Sequence, residues 1–66
     1  MQLMVNGETR EVAEGTTVRD LLDQLEVPKG RVAVEVNLEI VRKGDHESHT
    51  LQNGDRLEIV TFVGGG

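Results

Sequence analysis

The first apolar residues of the chain, Leu3 to Val5, are followed by a turn signal and by a polar segment in which Thr9 and Val12 favour extended backbone. Gln2 to Asn6 and Glu8 to Val12 predict two strands. The dipeptide Asn6-Gly7 between them is a strong signal for a tight hairpin turn, because both positions of such a turn need a positive φ. The chain therefore predicts an N-terminal β-hairpin.

The spacing of apolar residues then changes to that of an amphipathic helix. Thr17 is the predicted N-cap, and Asp20 three residues later forms an acidic variant of the capping box. Pro28 and Gly30 are expected to mark the end of the helix region. The apolar stripe falls at positions i, i+3, i+4 and i+7, namely Val18, Leu21, Leu22 and Leu25.

The second half of the chain returns to strands. Arg31 to Asn37 alternates with valines on one face, and Glu39 to Arg42 predicts a short edge strand. Lys43 to Thr50 is polar and predicts a loop or a single helical turn, and Arg56 to Val63 predicts the last strand.

This order of elements indicates a single α+β domain over residues 1–63. A helix between strand pairs must cover one face of a sheet, since each element has one apolar side to bury. The economical arrangement is a mixed sheet of four or five strands with the first and last strands parallel in its centre. We expect this β-grasp, ubiquitin-like topology partly by analogy, because element order leaves alternatives open.

The composition of the chain excludes several classes of site and partner. The chain has 66 residues, no cysteine and a net charge of −5, so disulfides, thiolate metal sites and a cysteine nucleophile are excluded. Net negative charge argues against nucleic acid and anionic membranes, and suits partners with basic docking faces. The N-terminus does not resemble a signal peptide, and we expect a cytoplasmic monomer.

The C-terminus carries the most informative pattern. The apolar run ends in a tail of three glycines, Gly64, Gly65 and Gly66. Glycine is costly to order, so we expect the tail (64–66) to be flexible. Without Cβ atoms it fits a narrow slot, and its terminal carboxylate is unshielded. These properties suit a C-terminus that reacts inside a partner enzyme, whereas a frayed, inert end is the alternative.

The last strand also predicts an exposed apolar patch. If Leu57 and Ile59 face the helix, Val60 and Phe62 face away from it, and Met4 of the first strand shares that outer side. Apolar patches on small proteins often mark docking surfaces. We therefore predict that Met4, Val60 and Phe62 contact a partner that grips the tail.

Other groups of residues are weak candidates for a metal site or an active site. His46 and His49 have an H-x-x-H spacing, but two ligands in a polar loop do not specify a metal site, and we predict solvated loop residues. The acidic residues are spread over the surface rather than converging in a cleft. We therefore expect neither a bound metal nor autonomous catalysis.

Several motifs, in this order, resemble the ThiS family of sulfur carriers in thiamine thiazole biosynthesis. They are Asn6-Gly7-Glu8, Gly15-Thr16-Thr17-Val18, Val32-Ala33-Val34-Glu35 with Asn37, Gly54-Asp55-Arg56 and the glycine tail. The resemblance covers essentially the whole chain. The chain departs from the family where Leu38 replaces an expected small turn residue, where Arg42-Lys43 replaces proline–arginine, and where an expected tryptophan is missing near His46.

The resemblance implies a carrier that is a co-substrate rather than an enzyme. An E1-like, ThiF-type adenylyltransferase would use ATP to activate the Gly66 carboxylate, and a persulfide donor would convert it to a thiocarboxylate. Gly64 and Gly65 would let the tail thread into that enzyme and into a ThiG-type thiazole synthase. No cofactor would be bound by the chain itself.

Three alternatives stay open. The small subunit of molybdopterin synthase and ubiquitin-like modifiers share this fold and a Gly-Gly end. A non-covalent β-grasp interaction module would have an inert tail. A metal- or nucleotide-binding protein would depend on His46 and His49.

Overall fold

The computed structural model describes residues 1–27 and 31–62. The predicted Pro28 and Gly30 signals, and Val63 with the glycine tail, lie outside the described residues. The described strands are β1 (Gln2–Val5), β2 (Glu8–Glu11), β3 (Val32–Val36), β4 (Glu39–Val41) and β5 (Arg56–Thr61), and helix α1 spans Val18–Gln24. A 3₁₀ turn at Lys43–Asp45 follows β4, as predicted for the polar segment.

The five described strands form one mixed sheet in the order β2-β1-β5-β3-β4. The central pair is β1 and β5, which run parallel with Val5 opposite Leu57. Strand β3 lies antiparallel to β5 on its other side. The predicted β-grasp arrangement, with the first and last strands parallel in the centre, is confirmed.

The core lies between α1 and one face of the sheet. Val18, Leu21 and Leu22 of the helix are buried, as the apolar stripe predicts. They share one cluster with alternate residues of the strands, including Leu3, Val5, Val34, Val36 and Leu57. Leu51 joins the same cluster from the segment before β5. Burial of these side chains is the main stabilising contribution in a chain of this size.

The ends of α1 are set by local hydrogen bonds. The Thr17 hydroxyl accepts from the Asp20 backbone N–H, and the Asp20 carboxylate accepts from the Thr17 N–H, both at 3.1 Å. The predicted capping box is therefore confirmed. At the other end Glu26 has a φ of 58°, and the Val27 N–H donates to the Leu22 carbonyl at 3.0 Å. This is a Schellman ending, so the helix stops before Pro28.

Candidate functional site at the root of the glycine tail

Strand β5 precedes the tail in sequence, and it is paired with β3 from Leu57 to Thr61 and with β1 at Arg56 and Leu57. Its last paired residues are Val60 opposite Ala33 and Thr61 opposite Val32. Beyond them the Phe62 N–H donates to the Arg31 carbonyl at 2.9 Å. The described chain is thus hydrogen-bonded to its neighbours up to Phe62.

The outer face of the sheet, opposite α1, carries exposed apolar side chains near this point. Val60 is 53% exposed and Phe62 is 57% exposed, and Ile40 on the edge strand β4 is 74% exposed. Leu57 and Ile59 point inward, as predicted, because Leu57 is buried and Ile59 packs against the core. The alternation of β5 therefore places Val60 and Phe62 on a free surface.

Met4, the third residue of the predicted docking patch, lies on the same outer face but farther from the tail. It is half-buried and stands opposite Arg56 in the β1–β5 register. The Arg56 Nη2 atom lies 3.7 Å from the Met4 sulfur. Glu58 lies between Arg56 and Val60 on this face, because alternate residues of a strand share a side. A role for Met4, Val60 and Phe62 in docking stays a prediction.

Two asparagine side chains hold β5 in place, and neither role was predicted from the sequence. Asn6 has a φ of 49° in the β1–β2 turn. Its amide bonds both backbone groups of Ile59, through Oδ1 at 2.7 Å and Nδ2 at 3.1 Å. The signal was present, because asparagine tolerates the left-handed region and its short amide reaches nearby backbone.

The side chain of Asn37 holds the start of β5 in a similar way. Its Oδ1 accepts from the Arg56 backbone N–H at 3.0 Å, and its Nδ2 donates to the Asp55 carboxylate at 2.9 Å. The same carboxylate accepts from the Gln52 N–H at 2.8 Å. The buried Asp55 is thus bonded through both oxygens, as a buried carboxylate requires. This network joins the β3–β4 turn to the strand that leads to the tail.

The prediction that both loop histidines are solvated is wrong for His46. Its side chain is 4% exposed, and its Nε2 lies 3.0 Å from the Val41 carbonyl oxygen. The loop folds onto the start of α1, where the Arg19 N–H donates to the His46 carbonyl and the Val18 N–H donates to the His49 carbonyl. These bonds satisfy N–H groups that a helix leaves unpaired at its first turn. His46 is therefore a structural residue.

Within residues 1–27 and 31–62, no three His, Cys, Asp or Glu side chains are grouped to hold a metal ion. No helix in those ranges has the length and apolar character needed to cross a bilayer.

Comparisons with known proteins point to one family. A model of the ThiS family matches residues 3–66. The sulfur carrier protein ThiS of Escherichia coli is 32% identical over 66 residues, which is 100% of both chains. The crystal structure of the thiamine biosynthesis protein ThiS from Geobacter metallireducens has a TM-score of 0.84 at 38% identity, again covering 100% of both chains.

A longer relative is also similar. A thiazole synthase of Paramagnetospirillum magneticum is 48% identical over the 66 residues. The match covers 100% of this chain and 20% of that protein, so the chain spans about a fifth of the length of this relative.

Proposed function

The chain belongs to the ThiS family of sulfur carrier proteins, and we propose that Gly66 carries the sulfur as a thiocarboxylate for thiazole formation. The observation that carries the proposal is the family match, which extends over residues 3–66 and so includes the glycine tail. The fold supports the proposal, because β5 is paired with β3 up to Thr61 and the Phe62 N–H bonds the Arg31 carbonyl. The sheet therefore provides a fixed base for the segment that ends in Gly66.

The proposed chemistry begins with activation of the Gly66 carboxylate. A carboxylate is a poor electrophile because its negative charge repels a nucleophile and oxide is a poor leaving group. An E1-like, ThiF-type enzyme would join a carboxylate oxygen to the α-phosphate of ATP and release pyrophosphate. A persulfide then attacks the acyl carbon and AMP leaves. Cleavage of the sulfur–sulfur bond by a second thiol leaves the thiocarboxylate.

The chain contributes position and access rather than catalysis. Gly64 and Gly65 have no side chains, so the tail can enter a narrow channel, and Gly66 leaves the acyl carbon open to attack. Met4, Val60 and Phe62 are the proposed docking contacts, of which Val60 and Phe62 lie nearest the tail. The carrier is then a cytoplasmic monomer that binds no cofactor, while its partner uses the ATP.

The enzyme that consumes the sulfur is proposed to be a thiazole synthase of the ThiG type. The relative from Paramagnetospirillum magneticum supports this, since a region 48% identical to the whole chain forms part of a protein named thiazole synthase. The family match favours this pathway over molybdopterin synthase and ubiquitin-like modification, which the sequence pattern alone left open.

Deletion of Gly65 and Gly66 tests the proposal against an inert tail. The truncated chain should keep the wild-type circular dichroism spectrum and melting temperature but support no thiazole formation with the adenylating enzyme, thiazole synthase and a sulfur donor. Thiazole formation at the wild-type rate by the truncated chain would favour a non-covalent interaction module.

A further inference from the structure

Two glutamates face each other across the centre of the outer sheet face. Glu35 of β3 is directly opposite Glu58 of β5 in the antiparallel register. Side chains in such pairs start about 5 Å apart, and like charges directly opposite destabilise a sheet. Within residues 1–27 and 31–62, the ion pairs are Met1–Glu11 and Arg19–Asp23, so neither glutamate has a cationic partner there.

The pair lines an open groove in the outer face. The groove has a volume of about 430 Å³, and its lining includes Glu35, Glu58, Leu38 and Met4. Arg56 also lines it, but its guanidinium contacts the Met4 sulfur instead of either carboxylate. The lining of the groove therefore carries two carboxylates and one guanidinium, a net negative charge, beside apolar side chains.

Exposed apolar residues continue from the groove in two directions. Leu38 and Ile40 lie toward the β4 edge, and Val60 and Phe62 lie toward the tail. Interfaces typically combine apolar anchors with a few complementary charges that fix orientation. An apolar face interrupted by two facing carboxylates is complementary to an apolar face that projects a cation.

We propose that the Glu35–Glu58 pair receives an arginine or lysine side chain of thiazole synthase, projecting from an apolar surface of that enzyme. The inference rests on the proposed function and adds the residues that orient the carrier. A guanidinium in the groove contacts both carboxylates and removes their mutual repulsion. The pair thus lowers the stability of the free carrier and increases its affinity for the enzyme.

Thiazole synthase is the proposed occupant because one relative, a thiazole synthase, includes a region similar to this whole chain. In that relative the carrier-like region is covalently joined to the rest of the synthase. A short flexible linker gives such a joined region an effective concentration in the millimolar range. Wherever carrier and synthase are not covalently joined, the surface of the carrier must supply the affinity. The acidic pair provides an oriented contact of this kind.

The test measures binding of the 66-residue carrier, with its glycine tail, to the cognate thiazole synthase and separately to the adenylating enzyme by calorimetry. Glu35→Gln and Glu58→Gln keep the size of the side chain and remove its charge. Each should weaken binding about tenfold or more, as expected for removing one member of a desolvated charge pair. Glu14→Gln, an exposed residue in the β2–α1 connection, is the matched control and should change binding less than about twofold. The melting temperatures of the two groove variants should equal or exceed that of wild type.

The outcomes separate this inference from the function on which it rests. If wild type binds and the groove variants bind equally well, the recognition proposal is wrong while the carrier function stands. Equal weakening by Glu14→Gln would show a general charge effect and overturn it as well. Weakening seen only with the adenylating enzyme would assign the groove to that partner instead. Failure of wild type to bind any thiazole synthase would contradict the proposed partner itself.

Discussion

The side-chain amide of Asn6 forms both hydrogen bonds that a paired strand residue would offer to Ile59. The Ile59 N–H donates to Oδ1 at 2.7 Å, and Nδ2 donates to the Ile59 carbonyl at 3.1 Å. The last regular β1–β5 pair is Val5 with Leu57, so the asparagine extends the contact by two residues along β5. It thereby supports the strand next to Val60 and the tail.

Replacing Asn6 should therefore destabilise the fold. Asn6→Gly keeps the tolerance for a φ of 49° and removes both bonds, and it should lower the free energy of unfolding by about 1–3 kcal/mol. Asn6→Ala should cost about 1 kcal/mol more, because alanine disfavours left-handed backbone. Urea unfolding measures both. Wild-type stability in Asn6→Gly would show that the two bonds contribute nothing.

Leu38 occupies a position better suited to glycine. Its φ is 70° in the β3–β4 turn, and its side chain is 89% exposed, so it gains little from burial. Leu38→Gly should raise the free energy of unfolding by about 0.5–1 kcal/mol. Leu38→Ala is the control, since it shortens the side chain without relieving the backbone strain. A gain of equal size in Leu38→Ala would attribute the effect to the exposed leucine side chain instead.

The two loop histidines should respond differently to truncation. His46→Ala removes a buried ring and its hydrogen bond to the Val41 carbonyl, and should cost about 2–4 kcal/mol of stability. His49 is only partly buried, and its backbone carbonyl makes the bond to α1. His49→Ala should therefore change stability by about 0.5 kcal/mol or less. Comparable losses in both variants would contradict the structural role assigned to His46.

The elements that the sequence predicted correctly have local causes. The capping box of Thr17 and Asp20, the apolar stripe of α1 and the Asn6-Gly7 turn each depend on neighbouring residues. The parallel pairing of β1 with β5 required an argument about burial and an analogy of fold, because its partners are more than fifty residues apart.

The features that the sequence did not reveal depend on tertiary contacts. His46 looked solvated because its neighbours in sequence are polar, whereas it is buried by α1 packing on the loop. The facing of Glu35 and Glu58 follows from the β3–β5 register, which alternation within each strand does not fix. A shift of one residue would have turned either side chain to the opposite face.

A side chain at Gly65 is expected to obstruct entry of the tail into the adenylating enzyme without affecting folding. Gly65→Val adds a β-branched side chain to the segment proposed to thread into the adenylating enzyme. We expect the rate of adenylation to fall at least tenfold, with an unchanged melting temperature. Gly44→Val is the matched control, because a Cβ at Gly44 meets no atom within 4 Å and the residue is remote from the tail in sequence. Unimpaired adenylation of Gly65→Val would contradict the threading argument.

The central claim, that Gly66 carries the sulfur, is tested most directly by intact mass spectrometry. The chain is incubated with ATP, the adenylating enzyme and a sulfur source, and exchange of one carboxylate oxygen for sulfur adds about 16 Da. Oxidation of Met1 or Met4 gives nearly the same shift, so fragmentation must assign the site, and a thiol-directed alkylating reagent should label it. The account predicts a shift located at Gly66. An unmodified Gly66 after incubation with partners of proven activity would contradict it.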